Sequence, residues 1–452
     1  MKGWLRVNFN IVIPENANKI IHTLQNNGHS AYIVGGCVRD SVMGRVPHDW
    51  DICTSATPDE MLEIFSDYRV IETGLKHGTV TVVVNGEQYE CTTYRIDGEY
   101  SDNRRPDTVT FTNDLIEDLK RRDFTINAMA YNDNEGLIDP FEGEYDISRK
   151  IIRCVGVPEE RFNEDALRIM RAIRFAAQLG FKIDFNTHCK ASSMAHKLDY
   201  IATERINSEF CKILISSNVY NAIRYNRHTI SRFIPEFANT MGFEQNNPYH
   251  QYTVFEHTMS ALNNCETDDL TTRLAVLFHD IGKPHCYQDG EDGIRHFKGH
   301  GKVSADMTDE IMKRLKFDNE TRNNVVQLVY YHDATFEVGK KYVKRWLNKI
   351  GVDQFRRLLD VRRADIKGQK IDYDKDRIEK VDNIERLLDE VLEENQCFSL
   401  KDLAINGNDL IKIGYNTGKI LGETLNFLLD GVINEEFEND KDILLNVVSE
   451  KL

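Results

Sequence analysis

The stretch IVGGCVRDSVMGRVPHDWDICTSATP, residues 33–58, places two glycines directly after an apolar run and then two aspartates one residue apart. Side chains at positions i and i+2 of a strand point to the same face. We therefore predict that Asp49 and Asp51 share one face of a strand. Two carboxylates held this close repel each other unless a cation neutralises them. The stretch predicts an α/β segment with a divalent-metal site.

The composition is that of an ordinary globular protein, with 41% hydrophobic and 29% charged residues in 452. This length predicts two to four domains. Nine cysteines without a CxxC pair fit reduced thiols, so we expect a cytoplasmic location. No apolar run approaches the length of a membrane span, and we expect no membrane partner.

The charge distribution bears on nucleic-acid binding. A net charge of −16 argues against nonspecific coating of nucleic acid, although it leaves room for a local basic surface. Residues 340–370 carry eleven Lys or Arg against three Asp. We predict that this run contacts phosphates, and a solvated helical face is the alternative.

The type of secondary structure changes along the chain. Short β-rich runs bounded by Gly, Asn or Asp, with helices between them, occupy the first third, and helical periodicity dominates from NEDALRIMRAIRFAAQLGF onward. The predicted fold class is α+β, with an N-terminal α/β head followed by an all-helical remainder. We expect a head over residues 1–145, a helical neck over 146–215, a helical body over 216–370 and a helical tail over 371–452.

A third carboxylate, Glu90, lies in YECTTYR, on the strand after the predicted hairpin VVVNGEQYE. Oxygen ligands suit Mg²⁺, which binds through a few carboxylates together with substrate phosphates. Two such ions can activate a 3′-hydroxyl and stabilise a leaving pyrophosphate. Gly35 and Gly36 would let the backbone approach a triphosphate closely. Each feature is common by itself, so the prediction rests on their combination.

Four segments together resemble the class II CCA-adding tRNA nucleotidyltransferase and bacterial poly(A) polymerase family: VGGCVRD…HDWDICTSATP, YRIDGEYSDNRRPDTVTF, LKRRDFTINAMAY and RFNEDALRIMRAIRFAAQLGF. The resemblance implies a nucleotidyltransferase head in which Asp49 and Asp51 bind metal and Glu90 is the third catalytic carboxylate. It implies a flexible loop at IDGEYSDNRRPDTV that helps the pocket change from C to A addition. The residues implied to lie near the triphosphate and sugar are Gly35, Gly36, Arg39, Asp40, Arg122, Asp123 and Asn127.

The segment EDALR contains Asp165 and Arg168, which would share one face of a helix. An aspartate accepts from an exocyclic amino group and an arginine donates to ring acceptors, a pattern that cytosine and adenine match and uracil and guanine reverse. This is the selection of CTP and ATP that the family resemblance implies, and a surface salt bridge is the alternative. Arg171 and Arg174 extend the stripe toward phosphates or acids, and Glu164 is expected to orient the arginines.

Half of the fourteen histidines lie between His250 and His332. The segments YTVFEHTM, LAVLFHDIGKP, HFKGHGKVSA, VYYHD and RRADI resemble the HD phosphohydrolase signature. Imidazole and carboxylate donors together suit Mn²⁺, Fe²⁺, Ni²⁺ or Zn²⁺, and such a site can supply hydroxide for phosphoester hydrolysis. A metal that only joins helices is the alternative. The implied ligands are His257, His279, Asp280, His300, His332 and Asp365.

These features predict a template-independent enzyme that adds C, C and A from CTP and ATP to the 3′ end of tRNA and releases pyrophosphate. The predicted cofactors are Mg²⁺ in the head and a transition metal at the HD site. The neck would select the nucleotide, the tail would bind tRNA, and no obligate protein partner is implied. A poly(A) polymerase or A-adding enzyme, an enzyme that is mainly an HD hydrolase, and a non-catalytic RNA-binding module are the alternatives.

Overall fold

The computed structural model describes residues 10–98, 108–248, 251–369 and 374–449. It confirms the predicted α+β class, with a sheet in the N-terminal part and helices in the remainder. The chain forms two compact units, Met1–Ile234 and Pro235–Leu452. The first unit therefore continues past residue 215, and the bounds of the four predicted domains remain predictions. Most of the predicted flexible loop, residues 99–107, lies outside the described residues.

A seven-stranded mixed sheet forms the base of the first unit, in the order β3-β4-β5-β2-β1-β8-β9. Within it, β2 and β5 run parallel and the other neighbours run antiparallel. The strands of this unit are β1 Ala31–Val34, β2 Ile52–Thr54, β3 Arg69–Gly74, β4 Thr79–Val84, β5 Glu87–Thr93, β6 Arg95–Asp97, β7 Val109–Phe111, β8 Ala130–Asn132, β9 Gly136–Ile138, β10 Ile151–Ile152 and β11 Lys182–Ile183. The central position of β2 brings the residues around its start beside both β1 and β5.

The hairpin between β4 and β5 forms as predicted from VVVNGEQYE. Asn85 and Gly86 both have positive φ, 52° and 88°. This is the backbone that a two-residue turn needs to match the twist of the flanking strands, and Asn-Gly adopts it readily. The turn fixes the register of β5 and so the position of Glu90.

Helices cover the sheet and complete the first unit. The helix α1 buries Ala17, Ile20, Ile21 and Leu24 at helical spacing in the head core. The helices of this unit are α1 Glu15–Asn26, α2 Gly36–Val42, α3 Pro58–Ile64, α4 Leu115–Lys120, α5 Gly143–Arg149, α6 Pro158–Glu164, α7 Leu167–Leu179, α8 Phe185–Ser193, α9 Thr203–Leu214, α10 Val219–Tyr225 and α11 Arg227–Ile230. The neighbouring pair α7 and α9 packs together and carries the charged residues described below.

Within the residues that the structure describes, the second unit consists of helices and one two-stranded ribbon. The packed helices α13 and α18 carry His257 and Asp365, and the residues that directly follow α14 and α16 supply His279, Asp280 and His332. A separate apolar core holds α20, α21 and α22 together. Its elements are α12 Phe237–Thr240, α13 Val254–Asn263, α14 Leu270–Phe278, β12 Gln288–Asp289, β13 Arg295–His296, α15 His300–Arg314, α16 Asn319–Tyr331, α17 Lys340–Ile350, α18 Val352–Gly368, α19 Asp374–Glu393, α20 Gly407–Lys412, α21 Lys419–Ile433 and α22 Lys441–Ser449. Within the described ranges, no helix combines the length and the apolar character needed to cross a membrane.

Candidate active site and candidate metal centre

The two aspartates of the opening stretch lie just before a strand, not on it as predicted. The strand β2 begins at Ile52, and both aspartates belong to the extended segment that leads into it. The carbonyl oxygen of Asp51 still accepts a hydrogen bond from the Val34 amide at 2.9 Å. Because β1 ends at Val34, the backbone hydrogen bonds between β1 and the segment around β2 do not continue to Asp49.

Glu90 lies close to Asp51, as predicted for the third carboxylate. In the parallel pairing of β2 with β5, Ile52 lies opposite Cys91, so Asp51 and Glu90 are one position further back along the two strands. The pKa of Asp51 is raised by desolvation and by the neighbouring charges of Glu90 and Asp49, against a lowering influence of Arg122. The charges of Glu90 and Asp49 thus both act on Asp51, at the start of β2 and next to β5.

The turn from β1 into α2 occurs at Gly35, whose φ is +83°. Its amide donates to the Met129 carbonyl at 3.2 Å. A Cβ at this position would lie 2.9 Å from Nη1 of Arg122. Glycine is therefore required both for the backbone conformation and for the close approach of a guanidinium.

Beside the carboxylates lies a cavity of about 390 Å³. Most of the residues implied to bind the nucleotide line it, whereas Asp40, Asp49, Glu90 and Arg174 are not among the lining residues. The lining residues are Gly35, Gly36, Arg39, Asp51, Arg121, Arg122, Asp123, Asn127, Asp165, Leu167, Arg168, Arg171, Phe175 and Arg205. The cavity is thus rich in arginine, as a site for a triphosphate requires.

A hydrogen-bonded chain of side chains crosses one wall of the cavity. Arg39 donates to Asn127 Oδ1 at 2.8 Å, and Asn127 Nδ2 donates to Asp123 Oδ1 at 3.1 Å. Arg171 Nε donates to the other oxygen of Asp123 at 2.8 Å. Burial alone would raise the pKa of Asp123, but Arg171 and Arg168 outweigh it and lower that pKa to about 2. The carboxylate is therefore ionised and orients Arg171 directly and Arg39 through Asn127.

Phe175 lies at the centre of three guanidinium groups. Its ring centroid is 5.2 Å from Cζ of Arg39, 5.4 Å from that of Arg171 and 4.1 Å from that of Arg174. A ring face attracts cations within about 6 Å. The phenyl ring therefore keeps like-charged side chains together beside the cavity.

Asp165 and Arg168 line the same cavity, but they do not occupy one helix as predicted. The helix α6 ends at Glu164, and Asp165 follows in an extended conformation with φ −140° and ψ 105° before α7 begins at Leu167. Asp165 Oδ1 accepts from the Leu167 amide at 3.0 Å, and Oδ2 accepts from Arg205 Nη2 at 3.0 Å. The alternative of an Asp165–Arg168 salt bridge is absent among these contacts.

Arg168 and Arg174 of the stripe form ion pairs with acidic side chains of the protein, as predicted. Arg168 pairs with Glu164 and donates to the Arg121 carbonyl at 3.0 Å. The carboxylate of Glu164 also contacts Arg161, so it does orient arginines. Arg174 Nε donates to Glu209 of α9 at 2.6 Å, and Arg174 is not among the residues that line the cavity.

The second unit brings all six residues of the HD signature together, and each is buried. Two groups of three have donor atoms within 4.8 Å of one another. The first group is His257, His279 and Asp365, and the second is Asp280, His300 and His332. The Nε2 atoms of His257 and His279 are 3.1 Å apart, and those of His300 and His332 are 3.0 Å apart.

The Nδ1 atom of each of the four histidines contacts a backbone carbonyl oxygen. The carbonyls belong to Gly368, Val276, Phe297 and Val329, at 3.2, 2.7, 2.9 and 2.6 Å respectively. A carbonyl can only accept, so Nδ1 of each ring carries a proton. This contact leaves Nε2 to face the cluster, and it is the arrangement typical of metal-ligating histidines.

Asp280 lies between the two groups. Its Oδ2 is 3.2 Å from Nε2 of His279, and its Oδ1 is 3.4 Å from Nε2 of His300. Lys283 Nζ contacts Oδ2 at 2.7 Å. Although burial would raise the pKa of Asp280, His279 and Lys283 hold it well below its usual range. Each oxygen of this ionised carboxylate faces one group of histidines, and a cavity of about 920 Å³ opens onto the cluster.

The basic run 340–370 is largely neutralised within its own unit, in contrast to the predicted phosphate-binding surface. Seven of its eleven basic residues form ion pairs with acidic side chains, most of them on α19 or on segments 266–269 and 435. These residues are Lys340, Lys344, Arg356, Arg357, Arg362, Arg363 and Lys367. The run therefore adds little net positive charge, because acidic side chains from other segments and from the run itself pair with most of it.

Sequence reasoning missed Phe175 and Arg205 in the nucleotide cavity and Lys283 at the histidine cluster. Phe175 and Lys283 lie inside quoted motifs, RAIRFAAQLGF and HDIGKP, so their positions beside the predicted residues were a usable signal. Arg205 lies 40 residues beyond Asp165, outside every motif. Only the packing of α9 on α7 brings it to the site.

Fold and site define a class, the template-independent nucleotidyltransferases with a poly(A) polymerase type of head. Residues 31–153 match the family model described as "Poly A polymerase head domain". Residues 180–239 match "Probable RNA and SrmB- binding site of polymerase A", and residues 289–448 match the second domain of tRNA nucleotidyltransferases. Enzymes of this class work with divalent metal ions.

The chain belongs to the family of CCA-adding enzymes. It is 35% identical over 436 residues to the CCA-adding enzyme of Lactobacillus helveticus, with 95% of each chain covered. It is 34% identical to that of Ligilactobacillus salivarius, with 96% of each chain covered. Among solved structures, the Bacillus stearothermophilus CCA-adding enzyme in complex with CTP matches with a TM-score of 0.72 and 29% identity, over 97% of each chain.

Proposed function

We propose that this chain builds or repairs the 3′ end of tRNA by adding C, C and A from CTP and ATP, without a nucleic-acid template, and releases pyrophosphate. The observation that carries the proposal is the convergence of three carboxylates beside an arginine-rich cavity that also contains Asp165 and Arg168. Membership of the CCA-adding family supports the same reaction. The match of residues 289–448 to a tRNA nucleotidyltransferase domain supports tRNA as the acceptor.

Asp49, Asp51 and Glu90 fit the requirements of a Mg²⁺ site. They are carboxylates of exposed residues, and the charges of Glu90 and Asp49 add to the desolvation that raises the pKa of Asp51. A cation bound here would relieve this repulsion. When bound, Mg²⁺ supplies Lewis-acid stabilisation of charge on the reacting oxygens. Arg39, Arg122 and the other arginines of the cavity would hold the triphosphate, so that the 3′-hydroxyl meets the α-phosphate in line with the departing pyrophosphate.

Nucleotide selection falls to Asp165 and Arg168 in this proposal. An ionised carboxylate accepts from the amino group of cytosine or adenine and offers no proton to the carbonyl of uracil or guanine. Arg168 supplies N–H donors to the adjacent ring nitrogen. When the wrong base binds, its hydrogen-bond pattern does not match this pair, and buried polar groups are left unsatisfied. Discrimination between the bases is therefore strong.

The Asp51→Asn variant tests the catalytic part of the proposal. The amide keeps the shape of the side chain but removes a charge from the metal site. We expect pyrophosphate release from CTP on tRNA lacking its CCA end to fall by about 10³-fold. Asp59→Asn, a change at an exposed aspartate of the same unit, is the matched control and should keep the wild-type rate. Equal rates for the two variants would contradict the assignment.

A second activity, metal-dependent phosphohydrolysis, is favoured by the histidine cluster of the second unit. Four histidine Nε2 atoms and two carboxylates converge in two groups of three, so a divalent cation fits the donor set. Asp280, which turns one oxygen toward each group of histidines, would help to hold the metal. A metal bound there would supply hydroxide for attack on a phosphoester.

Metal analysis tests this second proposal independently of catalysis. We expect about two transition-metal ions per chain after loading with Mn²⁺ or Ni²⁺ and dialysis, measured by mass spectrometry. His279→Ala and His332→Ala should each lower this number, whereas His285→Ala, a change at an exposed histidine of the same unit, should not. The loaded wild type should also hydrolyse a 2′,3′-cyclic nucleotide or a phosphomonoester. A chain that retains no metal would contradict the proposal.

A further inference from the structure

We propose that Arg377 binds a phosphate group of the substrate at the histidine cluster, and that Gln369 is a positioning residue that links this arginine to the expected metal ligand Asp365. The proposal rests on the metal-dependent phosphohydrolysis proposed above, because it concerns the same cavity. It assigns roles to two residues that lie outside the five segments resembling the HD signature.

Gln369 connects Asp365 to the guanidinium of Arg377. It directly follows α18, the helix that carries Asp365, and is only 7% exposed. Its Nε2 donates to Oδ1 of Asp365 at 2.8 Å, and its Oε1 accepts from Nη1 of Arg377. A carboxylate can only accept and a guanidinium can only donate, so the two partners determine the orientation of the amide. A neutral amide satisfies both neighbours, which neither a carboxylate nor an apolar side chain would do.

The oxygen of Asp365 that Gln369 contacts is the one that faces the cluster. This Oδ1 atom is 3.1 Å from Nε2 of His257 and 3.7 Å from Nε2 of His279. Carboxylates that ligate a metal are usually oriented by a hydrogen bond from outside the ligand set. The amide of Gln369 therefore holds Asp365 in place and couples its position to that of Arg377.

Arg377 brings a positive charge to the cavity from a different helix. It lies in the first turn of α19 and lines the cavity of about 920 Å³ together with Asp365 and Gln369. Among the side chains that the structure describes, Gln369 is the one hydrogen-bond partner of its guanidinium, and no carboxylate forms an ion pair with it. The paired basic residues of the run 340–370 differ in this respect. A guanidinium that keeps its charge and its N–H groups suits a phosphate.

The other charges around the cavity also favour an anion. The two carboxylates of the cluster would be neutralised by the metal they hold, and Lys283 is paired with one of them. Of the remaining charged side chains on the described lining, Arg377 and Lys298 are basic and Asp333 is acidic. A phosphate would therefore contact the metal on one side and the guanidinium of Arg377 on the other.

Binding of inorganic phosphate, a product of the proposed hydrolysis, tests the role of Arg377. The absorption spectrum of Ni²⁺ held by histidines changes when an anion joins its ligands, so a titration of the Ni²⁺-loaded chain with phosphate reports on this cluster. We expect Arg377→Ala to raise the Kd for phosphate about 10-fold, as for the loss of one charge-assisted hydrogen bond, and to leave the Ni²⁺ content unchanged. Arg377→Lys keeps a cation and should recover part of the affinity.

Arg386→Ala is the matched control for this titration. Arg386 lies on the same helix, forms an ion pair with Glu390 and does not line the cavity. Its replacement should leave the Kd for phosphate at the wild-type value. An equal rise in Kd for Arg386→Ala and Arg377→Ala would show that the effect comes from the charge of α19 in general, and it would contradict the assignment.

Metal affinity tests the role of Gln369. Gln369→Leu removes both hydrogen bonds at similar volume, and we expect the Kd for Ni²⁺ to rise about 10-fold, as for other residues that orient a metal ligand. The affinity for phosphate should fall as it does in Arg377→Ala. If Gln369→Leu does not fold, Gln369→Met keeps the length of the side chain and should show the same two losses. A glutamine that only packs α18 against its neighbours would change stability and neither constant.

The outcomes separate this inference from the function on which it rests. A wild type that holds no Ni²⁺ contradicts the proposed hydrolase activity. A wild type that holds Ni²⁺ but shows no spectral response to phosphate contradicts the phosphate site. A wild type that holds Ni²⁺ and binds phosphate, with the same Kd in Arg377→Ala, contradicts this inference alone.

Discussion

Asp123 illustrates how a single buried charge organises a cationic site. With a pKa of about 2, it remains ionised at every pH at which the protein would work. It binds Arg171 through one oxygen and Asn127 through the other. Two arginines of the cavity are thus held by this internal counter-charge, Arg171 directly and Arg39 through Asn127. A carboxylate that merely neutralised the arginines at the surface would leave them mobile.

The four histidines of the cluster in the second unit are likewise oriented by contacts within the protein. Each ring is fixed by a carbonyl three residues earlier in the chain, except His257, which uses Gly368 of α18. A local carbonyl at this spacing is available at the end of almost any helix, so His279 and His332 acquire their tautomer from their own backbone. The ring of His257 depends instead on the packing of α13 against α18.

At the scale of elements, the turn between β1 and α2 couples the backbone to the site. Gly35→Ala would force an L residue into positive φ and place its Cβ 2.9 Å from Nη1 of Arg122. We expect Arg122 to move and kcat/KM for CTP to fall by 10-fold to about 100-fold, because small displacements of a positioning group are costly. The measurement is steady-state incorporation of CTP into tRNA lacking its CCA end.

Gly28→Ala provides the matched control for this turn. Gly28 has nearly the same φ, +88°, but a Cβ there meets nothing within 4 Å. The strain of about 1 kcal/mol should lower stability in both variants, whereas activity should fall only in Gly35→Ala. Similar activity in the two variants would show that the contact with Arg122 is immaterial.

The elements that could be predicted from the sequence are those whose signals are local. Asn85-Gly86 between two alternating apolar runs predicted the hairpin that positions Glu90, and the structure forms it. The helix break at Asp165 could not be predicted, because neither glycine nor proline marks it. Arg205, 40 residues away in sequence, holds the side chain of the broken segment. The start of β2 was also predicted too early. The pairing with β1 determines where β2 begins, and the local sequence does not show where that pairing ends.

At the scale of the whole molecule, each unit contains one of the two sites described above. The first unit contains the carboxylates and arginines of the nucleotide cavity, and the second contains the cluster of histidines and aspartates. The motifs quoted from the sequence contain the histidines and aspartates that the structure brings together in the second unit and most of the residues that line the cavity of the first. Charge was less informative. The basic run 340–370 resembled a phosphate surface, but its partners, such as Asp269 and Glu394, lie far from it in sequence and neutralise it. Ion pairs between residues that are distant in sequence depend on the tertiary structure, so the composition of a segment does not predict them.

The central claim is that this chain completes tRNA with C, C and A. The most direct test is to incubate it with Mg²⁺, all four nucleoside triphosphates and tRNA lacking its CCA end, and to sequence the products. The account predicts 3′ ends that finish at CCA, with no U or G incorporated and no extension beyond the final A. Long A tracts or addition of A alone would contradict it in favour of a poly(A) or A-adding enzyme. Unchanged ends would contradict nucleotidyl transfer altogether.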